Sequence, residues 1–156
     1  MTKKDKIIQI LYKYLLFFLL GGAVYFVIEL LWRGYSHYTM FMLGGLCFIL
    51  IGLINEYFPW DMYIEIQTLI GTLVVLILEF VCGCIINLWW GWHIWDYSNM
   101  PLNVLGQICL PFALIWIPIV LFAIWFDDRV RHDAFGEEKP RYRSFIAEKI
   151  KAFKKK

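Results

Sequence analysis

Four long apolar runs constrain this chain more than any other feature, because about 20 apolar residues is the length an α-helix needs to cross a bilayer. The runs extend from about Tyr14 to Trp32, Met40 to Asn55, Ile66 to Leu88 and Val104 to Phe126. The chain has 156 residues, of which 61% are hydrophobic and 18% charged. At that size a water-soluble fold cannot hide so much apolar surface, whereas a bilayer can. The first run follows Lys3, Lys4 and Lys6 but is too long for a cleaved leader and lacks a small-residue cleavage site, so it is expected to stay as the first helix.

Charge predicts the orientation. Lys3, Lys4, Lys6 and Lys13 precede the core of the first run, the ten Lys and Arg residues from Arg129 onward follow the fourth, and Arg33 stands alone between. Positive residues near helix ends stay cytoplasmic, so both tails are expected inside, which requires an even number of spans. The expected fold is therefore all-α, an integral membrane bundle of four transmembrane helices in two tandem hairpins. Residues 1–126 form the membrane domain and 127–156 a cytoplasmic basic tail. In that tail Tyr142, Phe145, Ile146, Ile150 and Phe153 share one helical face and Lys and Arg fill the other. This is a basic amphipathic helix suited to an anionic inner leaflet, or alternatively to a docking partner.

The hairpins are weakly alike. Each has a glutamate late in its first helix, Glu29 and Glu79, and then an aromatic, polar outer connection. Each second helix opens near a small or polar pair, Gly44-Gly45 and Gly106-Gln107. The inner connection, Glu56 to Asp61, is short and acidic. Trp60, Trp89, Trp90, Trp92 and Trp95 suit interfacial aromatic belts. The Gly44, Gly45 and Gly52 face offers close helix contact, here expected between copies of the chain.

Ionisable groups inside a span are costly and mark function. Glu79 lies deep in the third run, on a stripe with Gly71, Val75, Gly83 and Asn87 at four-residue spacing that should face the bundle. It suits a carrier of a coupling proton or a cation; the plain alternative is a structural glutamate bonded to a neighbouring helix. Glu29 and Arg33, four apart, can pair in the favourable acid-first order. Arg33 is the natural ligand for an anionic group from outside, unless the pair merely ends the helix. Trp95, Asp96, Tyr97, Ser98 and Asn103 fill the second outer connection, where Asp96 or Ser98 can cap a turn; His37 is within conceivable reach of Asp96. Cys47, Cys82, Cys84 and Cys109 read as small buried apolar residues. No metal-ligand spacing occurs, and no metal or cofactor is expected. No glycine is followed by lysine, which excludes a phosphate-binding Walker loop, and neither a nucleophile elbow nor His-Glu-x-x-His is present. Basic tails beside a membrane are a poor match for nucleic acid.

Glu29-x-x-Trp32-Arg33-Gly34-x-Ser36-His37-x-x-Met40 resembles the first motif of the bacterial family named putative ABC transporter permease, type IV. Glu79-Phe80-x-x-Gly83, Trp95-Asp96-Tyr97-Ser98, Asn103-x-x-Gly106-x-Ile108-x-Leu110 and Trp116 resemble its second. The animal transmembrane protein 229 family is similar over that second stretch. The resemblance spans roughly Tyr25 to Trp116. It implies a multispanning permease of the cell membrane that oligomerises or borrows a separate ATPase subunit.

Three functions compete. The leading one is a transporter subunit moving a small solute through an outward-facing polar pocket of Glu29, Trp32, Arg33, Ser36, His37, Glu79, Asn87, Trp95, Asp96, Tyr97, Ser98, Asn103 and Gln107. The others are a membrane enzyme acting on a lipid or isoprenoid, with Asp96, His37 or Glu79 as acid or base, and a non-catalytic subunit or assembly factor. Cavity shape discriminates among them.

Overall fold

The computed structural model describes residues 2–59 and 62–154. Met1, Trp60 and Asp61 of the inner connection, and Lys155 and Lys156 lie outside the described residues. Helix α1 spans Lys3–Arg33, α2 Tyr38–Gly52, α3 the single turn Ile54–Tyr57, α4 Ile64–Gly83, α5 Leu110–Phe135 and α6 Phe145–Lys154. A π-helical segment, Cys84–Trp89, prolongs α4. No strand occurs among the described residues, and four of the helical stretches are long and apolar enough to cross a membrane.

Local chemistry sets the ends. Thr2 and Asp5 form a capping box ahead of α1, each side chain bonding the other's backbone N–H. This starts the helix at Lys3, well before the apolar run. Gly34, at φ +78°, ends it. The fourth helix begins at Leu110 rather than near Val104. Residues 104–109 are committed elsewhere: the Val104 N–H donates to the Ile108 carbonyl at 2.9 Å, and Leu105 and Gly106 adopt left-handed backbone. The helix then continues past Phe126 to Phe135, where Gly136 ends it.

Helices α1 and α2 form the tightest pair, with α2 also against α4 and α5, and α4 against α5. At the α1–α2 crossing the backbones nearly touch: a Cβ on Gly44 would stand 2.9 Å from the Gly21 carbonyl oxygen. Gly45 lies against Phe18, and Gly52 against the Asp127 carboxylate. The glycine face expected to join copies of the chain is thus consumed within one chain. It supplies the close approach that bilayer helices need for dispersion contact. Met40, Leu43, Cys47, Ile51, Val75, Val120 and Ile124 complete the core.

Both tails meet at one end of the bundle. Lys13 on α1 pairs with Glu137 just beyond α5 and stands 3.6 Å from Glu56. Arg131 of α5 contacts Glu56 at 2.7 Å. We call this the tail end, and the other, with residues 34–37 and 90–109, the loop end. Trp89, Trp90 and Trp92 at the loop end are exposed, as belt residues are, but Trp95 is buried, its indole donating to the Gln107 carbonyl at 3.0 Å. Helix α6 is capped by Ser144 and tied to α4 through Glu65. Its Phe145, Ile146, Ile150 and Phe153 are all exposed, with Tyr63 edge-on against Phe145.

Candidate functional site

The stripe expected on α4 faces inward throughout: Gly71, Val75, Glu79, Gly83 and Asn87 are all buried. On a pure α-helix a four-residue repeat drifts around the axis. The wider turn of the π-helical segment takes back that drift, and Asn87 stays in the bundle at 2% exposure.

Glu79 is the meeting point of three helices. The Tyr25 hydroxyl of α1 donates to one carboxylate oxygen at 2.9 Å, and the Trp116 indole N–H of α5 donates to the other at 3.0 Å. The two rings lie 5.4 Å apart. Tyr25 was not among the residues singled out by sequence. Its signal was its spacing, since Tyr25, Glu29 and Arg33 are four apart and share one face of α1.

One turn toward the loop end, Arg33 Nη2 lies 2.7 Å from Glu29 Oε1. The contact is close in distance, yet this buried nitrogen has no aligned hydrogen bond. Arg33 Nη1 donates to the Ile94 carbonyl at 3.0 Å, and its guanidinium stacks on Tyr35. The Ser36 hydroxyl donates to the other Glu29 oxygen at 2.6 Å. The expected Glu29–Arg33 pair therefore forms, and it anchors the second outer connection as well as ending α1.

Glu29, Trp32, Arg33, Glu79 and Tyr97 line one cavity of about 390 Å³ between α1, α5 and the 90–109 connection, with Tyr25, Phe112, Ile115 and Trp116. Tyr97 stacks on Phe112 at 4.6 Å, and burial pushes its phenol above the usual range.

The other expected site residues build the connection rather than the cavity wall. Asn87 donates to the Trp95 carbonyl at 3.0 Å and to Gln107 Oε1 at 2.8 Å, and accepts from the Ile94 N–H at 2.7 Å. The Gln107 amide donates in turn to the Leu105 carbonyl. Asn103 donates to the Ser98 and Met100 carbonyls and accepts from the Gly106 N–H. Asp96 is exposed and accepts from the Ser98 hydroxyl and N–H. These bonds hold its carboxyl below the usual carboxylate range. Gly106 is left-handed at φ +69°, and a Cβ there would stand 2.6 Å from Asp96 Oδ1, so the turn excludes a side chain. His93, Leu102 and Leu105 also hold positive φ, a cost these bonds sustain. His37 does not meet Asp96. It caps α2, accepting from the Thr39 N–H, and packs against Trp92.

A second polar centre lies at the tail end. Asp127 and Arg131, one turn apart on α5, form a buried ion pair. Asp128 accepts from Asn55 at 2.8 Å and from the Tyr142 hydroxyl at 2.7 Å. A hollow of about 270 Å³ beside them is lined by Glu56, Asp128, Arg131 and Glu137. Sequence placed these charges in the tail. Their signal was the acid-first spacing of Asp127 and Arg131 running on from an apolar helix. Among the described residues no group of three His, Cys, Asp or Glu side chains is placed to hold a metal ion.

No curated protein and no solved structure matches the chain. The family model described as Putative ABC-transporter type IV matches residues 16–150, which takes in α1 from residue 16 onward, the other three long helices, both outer connections and most of the tail. With that match across the cavity-lining residues and nearly the whole chain, this multispanning membrane protein belongs to the family described as Putative ABC-transporter type IV.

Proposed function

We propose that the chain is a permease subunit that takes up its substrate in the loop-end cavity, with its termini in the cytoplasm of the cell and that cavity on the outer side. The observation that carries this reading is the convergence of the Glu29–Arg33 pair and the Glu79 carboxyl on one hollow inside an apolar bundle. Charges are rare in such bundles because each costs about 2.5–3.5 kcal/mol on insertion scales, so a cavity that gathers three has a use for them. Arg33 binds the anionic part of the substrate, Glu29 holds Arg33 in place, and Glu79 carries the coupling proton or a cation. The family name supports a transport role and a separate ATPase subunit; the tail end, with α6 exposed, is where such a subunit would dock.

The enzyme reading loses its acid–base pair, since His37 and Asp96 hold different partners. The structural-subunit reading has one observation in its favour, that both Glu79 oxygens are hydrogen-bonded within the chain. Affinity purification of the full chain in mild detergent tests the proposal. We expect a P-loop ATPase to co-purify and its hydrolysis to uncouple from substrate in Arg33→Gln. Purification without an ATPase, together with an unchanged cellular phenotype for Arg33→Gln, would overturn it.

A further inference from the structure

The loop-end cavity does not stop at Glu79. A second hollow, lined almost entirely by apolar side chains, continues toward the tail end, and the two share Tyr25, Ile28, Trp116 and Ile119. Together they line the gap between α1 and α5, which is roomy at the loop end, about 390 Å³, and shallow below, about 60 Å³. Its loop-end part carries Glu29, Arg33, Glu79 and Tyr97, and its lower part Leu20, Val24, Cys47, Val75, Phe122 and Phe126. From Leu20 to Arg33 the gap follows α1 for about 20 Å, somewhat more than the half-thickness of a ~30 Å hydrocarbon core. It opens sideways: Leu31 is 83% exposed at the upper rim, and Val24 and Phe122 are exposed along the lower one. In a membrane those side chains face acyl chains.

A gap with a charged head, a shallow apolar continuation along α1 and a lateral mouth has the polarity of a lipid. The head is selective by charge. With Glu79 holding its proton, a lone anionic group on Arg33 would also meet Glu29, and a lone ammonium on Glu29 would meet Arg33. In a low-dielectric site either leaves one charge uncompensated, which is the costliest outcome. A head group bearing both phosphate and ammonium divides the pair between its own charges and leaves the net charge of the site unchanged. The Arg33 Nη2, close to Glu29 without an aligned hydrogen bond, is the donor such a phosphate would take.

We infer that the substrate class is a zwitterionic amphiphile, a phosphate–ammonium lipid that enters sideways from the leaflet at the loop end and seats its head on Glu29 and Arg33. This rests on the reading of the cavity as the substrate site, and names what fills it.

The test is native mass spectrometry of the full chain in neutral detergent, offered phosphatidylethanolamine, phosphatidylglycerol or the soluble glycerophosphoethanolamine. The expected result is one retained phosphatidylethanolamine, favoured at least about tenfold over phosphatidylglycerol. Arg33→Gln and Glu29→Gln should each erase the preference, and Ala123→Phe, which fills the apolar continuation, should weaken retention of both lipids. Thermal midpoints of all variants distinguish lost binding from lost folding. Equal retention of the two lipids, or a preference that survives Arg33→Gln in folded protein, overturns the inference. If glycerophosphoethanolamine competes as well as the whole lipid, the cavity is a site for a soluble solute: the amphiphile is wrong and the permease reading stands. If no ligand binds and Arg33→Gln has no cellular phenotype, both fall together.

Discussion

Tyr25 and Glu79, 54 residues apart in sequence, are joined by a hydrogen bond of 2.9 Å that links α1 to α4. Helix α1 otherwise rests mainly on α2. The bond therefore ties α1 to α4 beside the gap between α1 and α5, and Trp116 ties α5 to the same carboxyl. A carboxylate that only served transport would not need two dedicated donors from two other helices. One that only served structure would not need to line a cavity. Glu79 does both.

Substitutions at Glu79 separate these roles. In Glu79→Gln the amide oxygen can accept from Trp116 and the amide nitrogen can donate to the Tyr25 oxygen, so size and bonds survive while the titratable group is lost. We expect a folded, inserted protein with little change in thermal midpoint in detergent and with its activity abolished. Glu79→Leu strands two part-buried donors, Tyr25 and Trp116, at about 1–3 kcal/mol each at most, and should lower the midpoint. Full activity in Glu79→Gln would make this residue structural.

Asn87 makes a different prediction, because its partners all belong to the second outer connection. Asn87→Leu removes three hydrogen bonds and leaves the Ile94 N–H and the Trp95 carbonyl unpaired. At about 1–3 kcal/mol for each unsatisfied group, the connection should open well before the bundle melts. Limited proteolysis in detergent should cut between residues 90 and 109 in the variant and not in the wild type. Unaltered protection there would mean that the connection is held by its aromatic packing instead.

Orientation can be checked directly. The fourteen Lys and Arg residues of the two tails against one elsewhere predict a cytoplasmic tail end. In a background with Cys47, Cys82, Cys84 and Cys109 replaced, a membrane-impermeant thiol reagent applied to whole cells should modify Asn99→Cys and spare Phe58→Cys. The reverse pattern would invert the topology, and with it the side from which the gap is loaded.

The four spans were legible because hydropathy and length are additive along the chain and need no partner. The Glu29–Arg33 pair and the inward stripe through Glu79 were legible for a related reason: helical spacing fixes which side chains share a face. What spacing cannot supply is the partner across a helix gap. Tyr25 and Trp116 look like ordinary apolar-run aromatics until α1, α4 and α5 are brought together. The start of α5 was misplaced because Val104 to Cys109 are apolar enough to belong to a helix, yet the hydrogen bonds of Trp95, Asn103 and Gln107 hold them in a turn. Gly44 and Gly52 likewise announce close contact without saying whether the neighbour is in the same chain.

The tail-end ion pair gives the last prediction. The Asp127 side chain is fully buried and that of Arg131 nearly so, and Arg131 reaches Glu56 and Glu137 as well. Removing one partner leaves an uncompensated buried charge, typically worth about 3–5 kcal/mol of destabilisation, while replacing both by apolar groups of similar volume is often neutral or better. Arg131→Met alone should therefore lower the detergent midpoint steeply, and Asp127→Leu alone less, because Arg131 keeps Glu56 and Glu137. The double variant should recover most of the loss, with a coupling well above the ~0.5 kcal/mol within which independent sites add. Recovery will be incomplete, because Glu56 and Glu137 keep Lys13 but lose Arg131. If each single variant costs less than about 1 kcal/mol, the pair is as dispensable as an exposed one, and water rather than protein must be solvating it. If instead the double variant is stable but inactive in the assay that scores Glu79→Gln, this charge cluster belongs to the transport cycle and not to the fold.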